Sequence, residues 1–275
     1  MKLDAHQHFW QYTPATHAWI TDEMAVLQRH YLPEQLLPEL QQAGFNGCIA
    51  VQASQTEAET EFLLQLAADY SFIKGVVGWV DLRAPNAKER LTYFAQNPLF
   101  KGVRHIVQSE PDLEFLLHPD FLRGISFLQP LHLTYDILIY PLHLPVATQF
   151  VAQFPEQKFV LDHLAKPYIK ARQLQPWAYD LAQLARHPQV YAKLSGLVTE
   201  ADWQRWQPAD LRPYLETALD LFGPDRLLIG SDWPVCRLAG EYESVMQIVQ
   251  DFIAALTPTE RANILGLNAA RFYNI

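Results

Sequence analysis

Several residues able to do chemistry stand in this chain where an apolar run comes to its end. The stretch KLDAHQH closes on His6, Gln7 and His8. Residues two apart on a strand point the same way, so both imidazoles are expected on one face, with Asp4 beside them as an orienting partner or a fold residue. KFVLDHL delivers Asp162 and His163, and RLLIGSDW delivers Asp232. Other runs end in Gln52 and Ser54, in Trp79 and Asp81, in Arg104, His105 and Gln108, and in Ser195. Neutral imidazoles with a carboxylate are a zinc-type donor set. The same groups can polarise a carbonyl and deprotonate water without a metal. The pair His6 and His8 alone is a weak signal, because two histidines at strand spacing also occur as core hydrogen-bonders. The pair together with His163 and Asp232 is far more specific. Ser195 lacks the GxSxG setting of a serine hydrolase and reads as a wall residue or hydrogen-bonder. Cys48 and Cys236 have no neighbouring base and no CxxC spacing, so they read as packing.

These residues need elements that gather them. Eight β-rich runs recur along the chain: 2–8, 47–54, 74–82, 101–108, 134–140, 158–164, 190–197 and 226–233. Stretches of helical period lie between them, clearest at 32–44, 56–70 and 208–223, and a further one at 258–273 closes the chain. Eight strands, each followed by a helix, predict a single-domain (β/α)8 barrel spanning residues 1–275. The alternative is an open doubly wound sheet, weakened by the absence of a GxGxxG after the first strand. In a parallel barrel all strand C-termini open on one face. The polar residues above then form a ring at the barrel mouth. The 24 residues from Phe9 to Leu32 are long for a loop between strand and helix. They carry Trp10, Tyr12, Trp19 and Tyr31, and suit a lid or pocket wall.

Composition narrows the partners. The net charge of −9 and the lack of a basic stripe argue against nucleic acid. The cluster Lys166, Lys170 and Arg172 reads as a solvated loop. No run reaches 18 apolar residues, and MKLDAHQHFW has no apolar leader segment, so a cytoplasmic protein, monomeric or homodimeric, is expected. A small molecule is the expected partner.

With these motifs in place, the chain resembles the amidohydrolase superfamily and, within it, the amidohydrolase-2 group of sugar-lactone hydrolases of the L-fuconolactonase type. The matching stretches are DAHQHFW, GWVDL, KGVRHIVQ with EPD soon after, KFVLDHLAKP, KLSGLVTEADW, GPDRLLIGSDWPV and LGLNAARFY, which together cover essentially the whole chain. The resemblance implies a distorted barrel and a hydrolase that opens lactones. It implies that Asp232 handles the proton of the attacking water, while His6, His8 and His163 bind a metal or polarise the carbonyl. There is one departure. Metal-rich members of the superfamily carry a Lys or His ligand at the end of the fifth strand, where this chain has Tyr140, with His143 on the following turn. A two-metal centre bridged by a modified lysine is therefore not expected. One divalent ion at His6, His8, His163 and Asp232, zinc by donor type, or no metal, remain the options. The expected pocket wall is Arg104, Trp79, Gln52, Ser54, Trp10, Tyr140 and His143.

Arg104 is the one cation among the strand ends, with Arg83 and Arg237 a little beyond theirs. That favours a neutral sugar lactone over a pyrone or muconate-type dicarboxylate lactone, which needs two cationic clamps. A metal-dependent decarboxylase on the same barrel is the competing function. A non-catalytic sugar-acid binder is a third, disfavoured by the presence of Asp232.

Overall fold

The computed structural model describes residues 1–275. Each predicted run contains a strand: β1 (Leu3–Gln7), β2 (Gly47–Val51), β3 (Ile73–Gly78), β4 (Phe100–His105), β5 (Thr134–Ile137), β6 (Phe159–Leu161), β7 (Val190–Leu194) and β8 (Leu227–Ile229). They pair in parallel and in chain order. The ring closes between β1 and β8 at the mouth, where His8 N donates to Trp233 O at 2.7 Å and Asp232 N donates to His6 O at 2.8 Å. The fold is a (β/α)8 barrel, and its seam passes through three of the residues of interest.

Strands buried on both faces explain the apolar runs. Towards the helices they feed a large core, in which helices such as Glu57–Asp69, Pro208–Phe222 and Tyr242–Phe252 bury one side each. Inside the barrel, Leu3, Ala5, Ile49, Val51, Val77, Val160 and Leu228 form a smaller apolar floor, closed by Ala269, Phe272 and Tyr273. The expected continuous helix over 258–273 is in fact broken into Pro258–Ala262, a π turn Asn263–Leu267 and Asn268–Phe272. The reason is close approach: a Cβ on Gly266 would lie 2.6 Å from Met1 O. The chain widens there to pass the start of β1.

Several strands stop sooner than the patterns suggest. β2 runs out after Val51: Gln52 N still donates to Val77 O at 2.8 Å, but Ala53 N and Ser54 N both turn to the Glu59 carboxylate, at 3.0 and 2.8 Å. β5 ends at Ile137, before Pro141, which has no N–H to offer a ladder. The long loop after β1 is pinned at its base, where Trp10 and Tyr31 exchange backbone hydrogen bonds of 2.9 and 3.0 Å. Its middle forms a 3-10 helix, Asp22–Leu27. No helix is long and apolar enough to cross a membrane.

Candidate active site

The barrel interior carries two polar layers above its apolar floor. Local backbone departures aim the side chains of both. In β1 the pairing register shifts between Asp4 and Gln7. Such a bulge turns side chains off the two-residue alternation. As a result Asp4 does not share the face of His6 and His8. Its carboxylate faces the helices and accepts from His6 N at 3.1 Å, Ser231 N at 2.9 Å and Ser231 Oγ at 2.6 Å. Burial pushes its carboxyl up to about 6, against the pull of the Ser231 hydrogen bonds. Asp4 thus ties β1 to the segment that carries Asp232.

After β6 the residues His163, Leu164, Ala165 and Lys166 all have φ between 51 and 58°. A run of left-handed residues without glycine is costly and is seen mostly at functional sites. The turn lets two consecutive residues, Asp162 and His163, both reach the barrel interior, which a regular strand forbids. Gly196 makes room for it: a Cβ there would lie 2.4 Å from His163 Nδ1. Asp232 is also left-handed, at φ 58°.

The upper layer faces a cavity of about 250 Å³ lined by His8, Arg104, His163, Lys166 and Asp232 together with Trp19, Gln55, Gln108 and Ser109. Asp232 Oδ1 lies 3.3 Å from His8 Nε2 and 3.8 Å from both His6 Nε2 and His163 Nε2. His8 Nδ1 bonds Val51 O at 2.8 Å. A carbonyl only accepts, so the proton sits on Nδ1 and the Nε2 lone pair is aimed at the centre of the group. His163 Nδ1 bonds Ser195 Oγ at 2.9 Å, leaving its Nε2 towards Asp232. Burial pushes the His163 imidazole down to about 4. Burial acts upward on the Asp232 carboxyl, but His163, His8 and His6 overrule it and hold it well below the usual carboxylate range. The result is a carboxylate ringed by three imidazoles at a cavity wall. Such a donor set can hold one divalent cation or take a proton from water.

The lower layer is sealed. Lys193, Asp136, Asp162 and His6 have no exposed side-chain surface. Lys193 Nζ lies 2.5 Å from Asp136 Oδ2, 2.9 Å from Asp162 Oδ1 and 3.1 Å from His6 Nδ1. Tyr273 from the C-terminal plug donates to Asp136 Oδ2 at 2.9 Å. Arg104 is engaged here through all three guanidinium nitrogens: Nη1 on Asp162 at 3.0 Å and against His6 Nε2 at 3.3 Å, Nε on Gln52 Oε1 at 2.8 Å, and Nη2 on Gln52 O. Burial acts upward on the Asp162 carboxyl, and Lys193, His6 and Arg104 overcome it and hold it well below the usual range.

A profile of the amidohydrolase family (Amidohydro_2) matches residues 3–275 of the chain. The chain is 43% identical over 284 residues to an L-fucono-1,5-lactonase of Burkholderia multivorans, covering 99% of this chain and 96% of that protein.

The chain belongs to the amidohydrolase family.

An L-fucono-1,5-lactonase of Burkholderia ambifaria is 36% identical, covering 100% of this amidohydrolase and 96% of its relative. A crystal structure of a Burkholderia multivorans amidohydrolase with bound zinc superposes with a TM-score of 0.97 at 41% identity, covering 100% of this chain and 99% of that one.

The structure of this amidohydrolase brings together His6, His8, His163 and Asp232, as the strand-end pattern expects. The expected pocket wall fares differently. Arg104 reaches the cavity, but its guanidinium is held by Asp162, Gln52 and His6. Gln52 is buried and serves Arg104. Ser54 sits in the turn held by Glu59. Trp10 is buried, its indole N–H donating to Arg29 O at 2.9 Å. Trp79 donates to His105 Nδ1 at 3.3 Å, on the outer side of the barrel beside Phe115. His143 is buried and bonded to the Tyr140 backbone, and Tyr140 is exposed beside the mouth with Lys166 Nζ 5.6 Å from its ring centroid. None of these six lines the cavity. Arg83 and Arg237 are tied to Asp120, and to Glu39 and Glu241, away from it. The sequence reading missed Lys166, placed instead in a solvated loop. Its position three residues after His163 was the available signal.

Proposed function

We propose that this amidohydrolase opens a neutral sugar lactone, of the L-fucono-1,5-lactone kind, to its aldonic acid. The observation that carries this reading is the convergence of three imidazole nitrogens on the Asp232 carboxylate at the wall of a 250 Å³ cavity. The identity to lactonases over nearly the full length supports it.

The donor set fits one divalent ion. His8 presents a fixed lone pair, the nitrogens of His6 and His163 and an oxygen of Asp232 stand around the same point, and His6, His8 and Asp232 by themselves are close enough to share an ion. Nitrogen and carboxylate donors of this kind suit zinc, which would polarise the lactone carbonyl and acidify water. His6, His8 and Asp232 would hold it, with His163 beside it.

Asp232 takes the proton of the water that adds to the lactone carbonyl carbon. With Nδ1 accepting from the Ser195 hydroxyl, neutral His163 carries its proton on Nε2 and donates it to the carbonyl oxygen as charge develops there. The bond from the carbonyl carbon to the ring oxygen then breaks, and that oxygen needs a proton. Lys166 is the loosely held cation of the cavity wall, with its nearest carboxylate, Glu200, 4.0 Å away. It donates to the departing oxygen or to the new carboxylate. Gln55, Gln108 and Ser109 offer neutral hydrogen-bonding groups for sugar hydroxyls, and Trp19 an apolar face for ring C–H groups.

A single free cation does not suit a dicarboxylate, so pyrone or muconate-type lactones are poor substrates. Solved decarboxylases share the fold at 13 and 14% identity, which speaks for architecture alone. The test is a pH-indicator screen of aldonolactones and dicarboxylate lactones on one preparation, with zinc analysis of the same sample. Acid release from the aldonolactones without carbon dioxide is expected. Carbon dioxide release, or higher efficiency on the dicarboxylates, would overturn the reading.

A further inference from the structure

Behind the cavity wall stands a row of groups that the mechanism leaves unused. Trp79 just after β3, His105 at the end of β4 and Glu110 in the loop beyond are joined in line on the outer side of the barrel. Trp79 is fixed first: its N–H donates to Thr60 Oγ1 at 2.8 Å, and that hydroxyl donates back to Trp79 O at 3.0 Å. Its indole Nε1–H donates to His105 Nδ1 at 3.3 Å. An indole nitrogen only donates, so His105 Nδ1 is bare and the neutral ring carries its proton on Nε2. Burial pushes this imidazole down, against the pull of Glu110 and Asp81, which keeps the ring neutral. Nε2–H then donates to Glu110 Oε1 at 2.7 Å. Phe115 stacks on the ring, with centroids 4.7 Å apart and 16° between the planes. Both nitrogens and one face of His105 are thus taken up by protein, and none of the three residues lines the cavity.

What this row closes is a loop. Ile106, Gln108 and Ser109 line the cavity, and all three lie between the two ends of the His105–Glu110 bond. Left to itself the segment is a 3-10 turn of three residues, Val107–Ser109, with Ser109 N on Ile106 O at 3.1 Å and Glu110 N on Val107 O at 3.0 Å. Turns this short have poor hydrogen-bond geometry and little stability of their own. Two bonds to neighbouring elements depend on where the loop sits. Gln108 N donates to Leu138 O at 3.2 Å, just past β5. Ile106 N donates to Gln55 Oε1 at 2.7 Å, which points the Gln55 amide oxygen at the protein and leaves its NH2 group for a ligand. The loop therefore sets the place of Gln55, Gln108 and Ser109, the neutral groups offered to sugar hydroxyls.

We infer that Trp79, His105 and Glu110 are positioning residues that latch the loop 106–110 against the cavity and thereby set the affinity for polyhydroxylated lactones, without touching the chemical step at Asp232. This rests on the lactone reading of the same cavity. The latch can be cut at Glu110. Its side chain is half-buried at the surface, so its removal opens no hole in the core. Glu110→Ala leaves the His105 Nε2–H without an acceptor and frees the far end of the loop. Glu110→Gln keeps an oxygen in the same place and keeps the loop closed.

Two measurements on wild type, Glu110→Ala and Glu110→Gln test this. The first is hydrogen exchange read by mass spectrometry, which needs no substrate. Glu110→Ala is expected to exchange faster over residues 106–112 and to match wild type in the barrel strands, while Glu110→Gln matches wild type throughout. The second is steady-state kinetics on L-fucono-1,5-lactone. Glu110→Ala is expected to raise KM at least about tenfold, the worth of one hydrogen bond to a charged group, with kcat within about twofold of wild type. Glu110→Gln is expected to recover most of that KM. A purely structural role would lower the amount of folded enzyme and so reduce kcat at constant KM. That result, or an unchanged KM, or unchanged exchange over 106–112 in Glu110→Ala, overturns the inference. A Glu110→Gln protein as impaired as Glu110→Ala overturns it too, because the charge and not the bond would then matter. Should the wild type release no acid from any aldonolactone, the lactone reading falls, and the exchange measurement by itself still decides whether the latch exists.

Discussion

The two polar layers of the barrel use the same residue types for opposite ends. The upper one has His8, His163, Asp232 and Lys166. The lower one has Asp162, Asp136, Lys193 and Arg104, and the His6 ring spans both. In the lower layer nearly every donor is matched to an acceptor, and water is excluded. In the upper layer the imidazole nitrogens and Asp232 Oδ1 face one another across 3.3 to 3.8 Å beside a cavity, and the Lys166 ammonium is loosely held. Residue type does not distinguish the two layers. Unspent hydrogen-bonding capacity beside open space does.

Removing the spent cation should hurt stability most. Arg104→Met strands Asp162 and Gln52 inside the barrel, and breaking a buried pair on one side costs roughly 3–5 kcal/mol. Urea denaturation should show that loss. A normally stable Arg104→Met protein with only a raised KM would mean that Arg104 holds substrate, and the division between layers would fail.

Glu59 extends the comparison to a half-buried carboxylate outside both layers. Burial pushes its carboxyl up to about 7, against the pull of the Ser54 and Ala53 amides and Arg104. The folded protein therefore keeps a proton that the unfolded chain releases near 4.5. Stability from this group is full below that pH and is lost as pH rises through about 7. Glu59→Gln keeps an oxygen for the two amides and has no proton to lose. The wild type should lose on the order of 1–3 kcal/mol relative to Glu59→Gln across this window. Parallel stability curves would contradict the assignment.

Lys166→Met tests the free cation. It should leave stability within about 1 kcal/mol of wild type, because its ion pair is long and partly exposed. It should lower kcat/KM for an aldonolactone by roughly 10- to 100-fold, the worth of one charged hydrogen bond. A stability loss with unchanged kinetics would move Lys166 to the scaffold. The smallest effect belongs to Trp19→Ala, where loss of an aromatic face should cost about 1 kcal/mol and be read as a several-fold rise in KM. A fall in kcat at constant KM would show that Trp19 does more than offer a surface.

The sequence made the barrel legible because each strand, buried on both faces, is an apolar run bounded by polar residues and followed by a helical period. The four residues His6, His8, His163 and Asp232 were legible for the same reason, since strand ends in a parallel barrel share one face. What lies beyond the last strand residue was not. Counting alternation past Val51 and Ile137 placed Gln52, Ser54 and Tyr140 in the pocket wall, but regular pairing has already ended there. The bulge in β1 turned Asp4 to the helices, and the left-handed turn after β6 carried Lys166 to the cavity. Neither leaves a composition signal. Lys193 and Asp136 were invisible for another reason: each is a single polar residue within a strand, and only the closed barrel shows that the two face each other.

The most direct test of the division between layers is the turnover of Asp232→Asn on L-fucono-1,5-lactone, with folding checked by circular dichroism and thermal denaturation. Asn keeps the shape and a carbonyl oxygen but cannot take a proton from water. A folded protein whose kcat falls by roughly two to four orders of magnitude is the predicted result. A folded Asp232→Asn protein with near-normal turnover would contradict it, and the proton acceptor would have to be sought elsewhere.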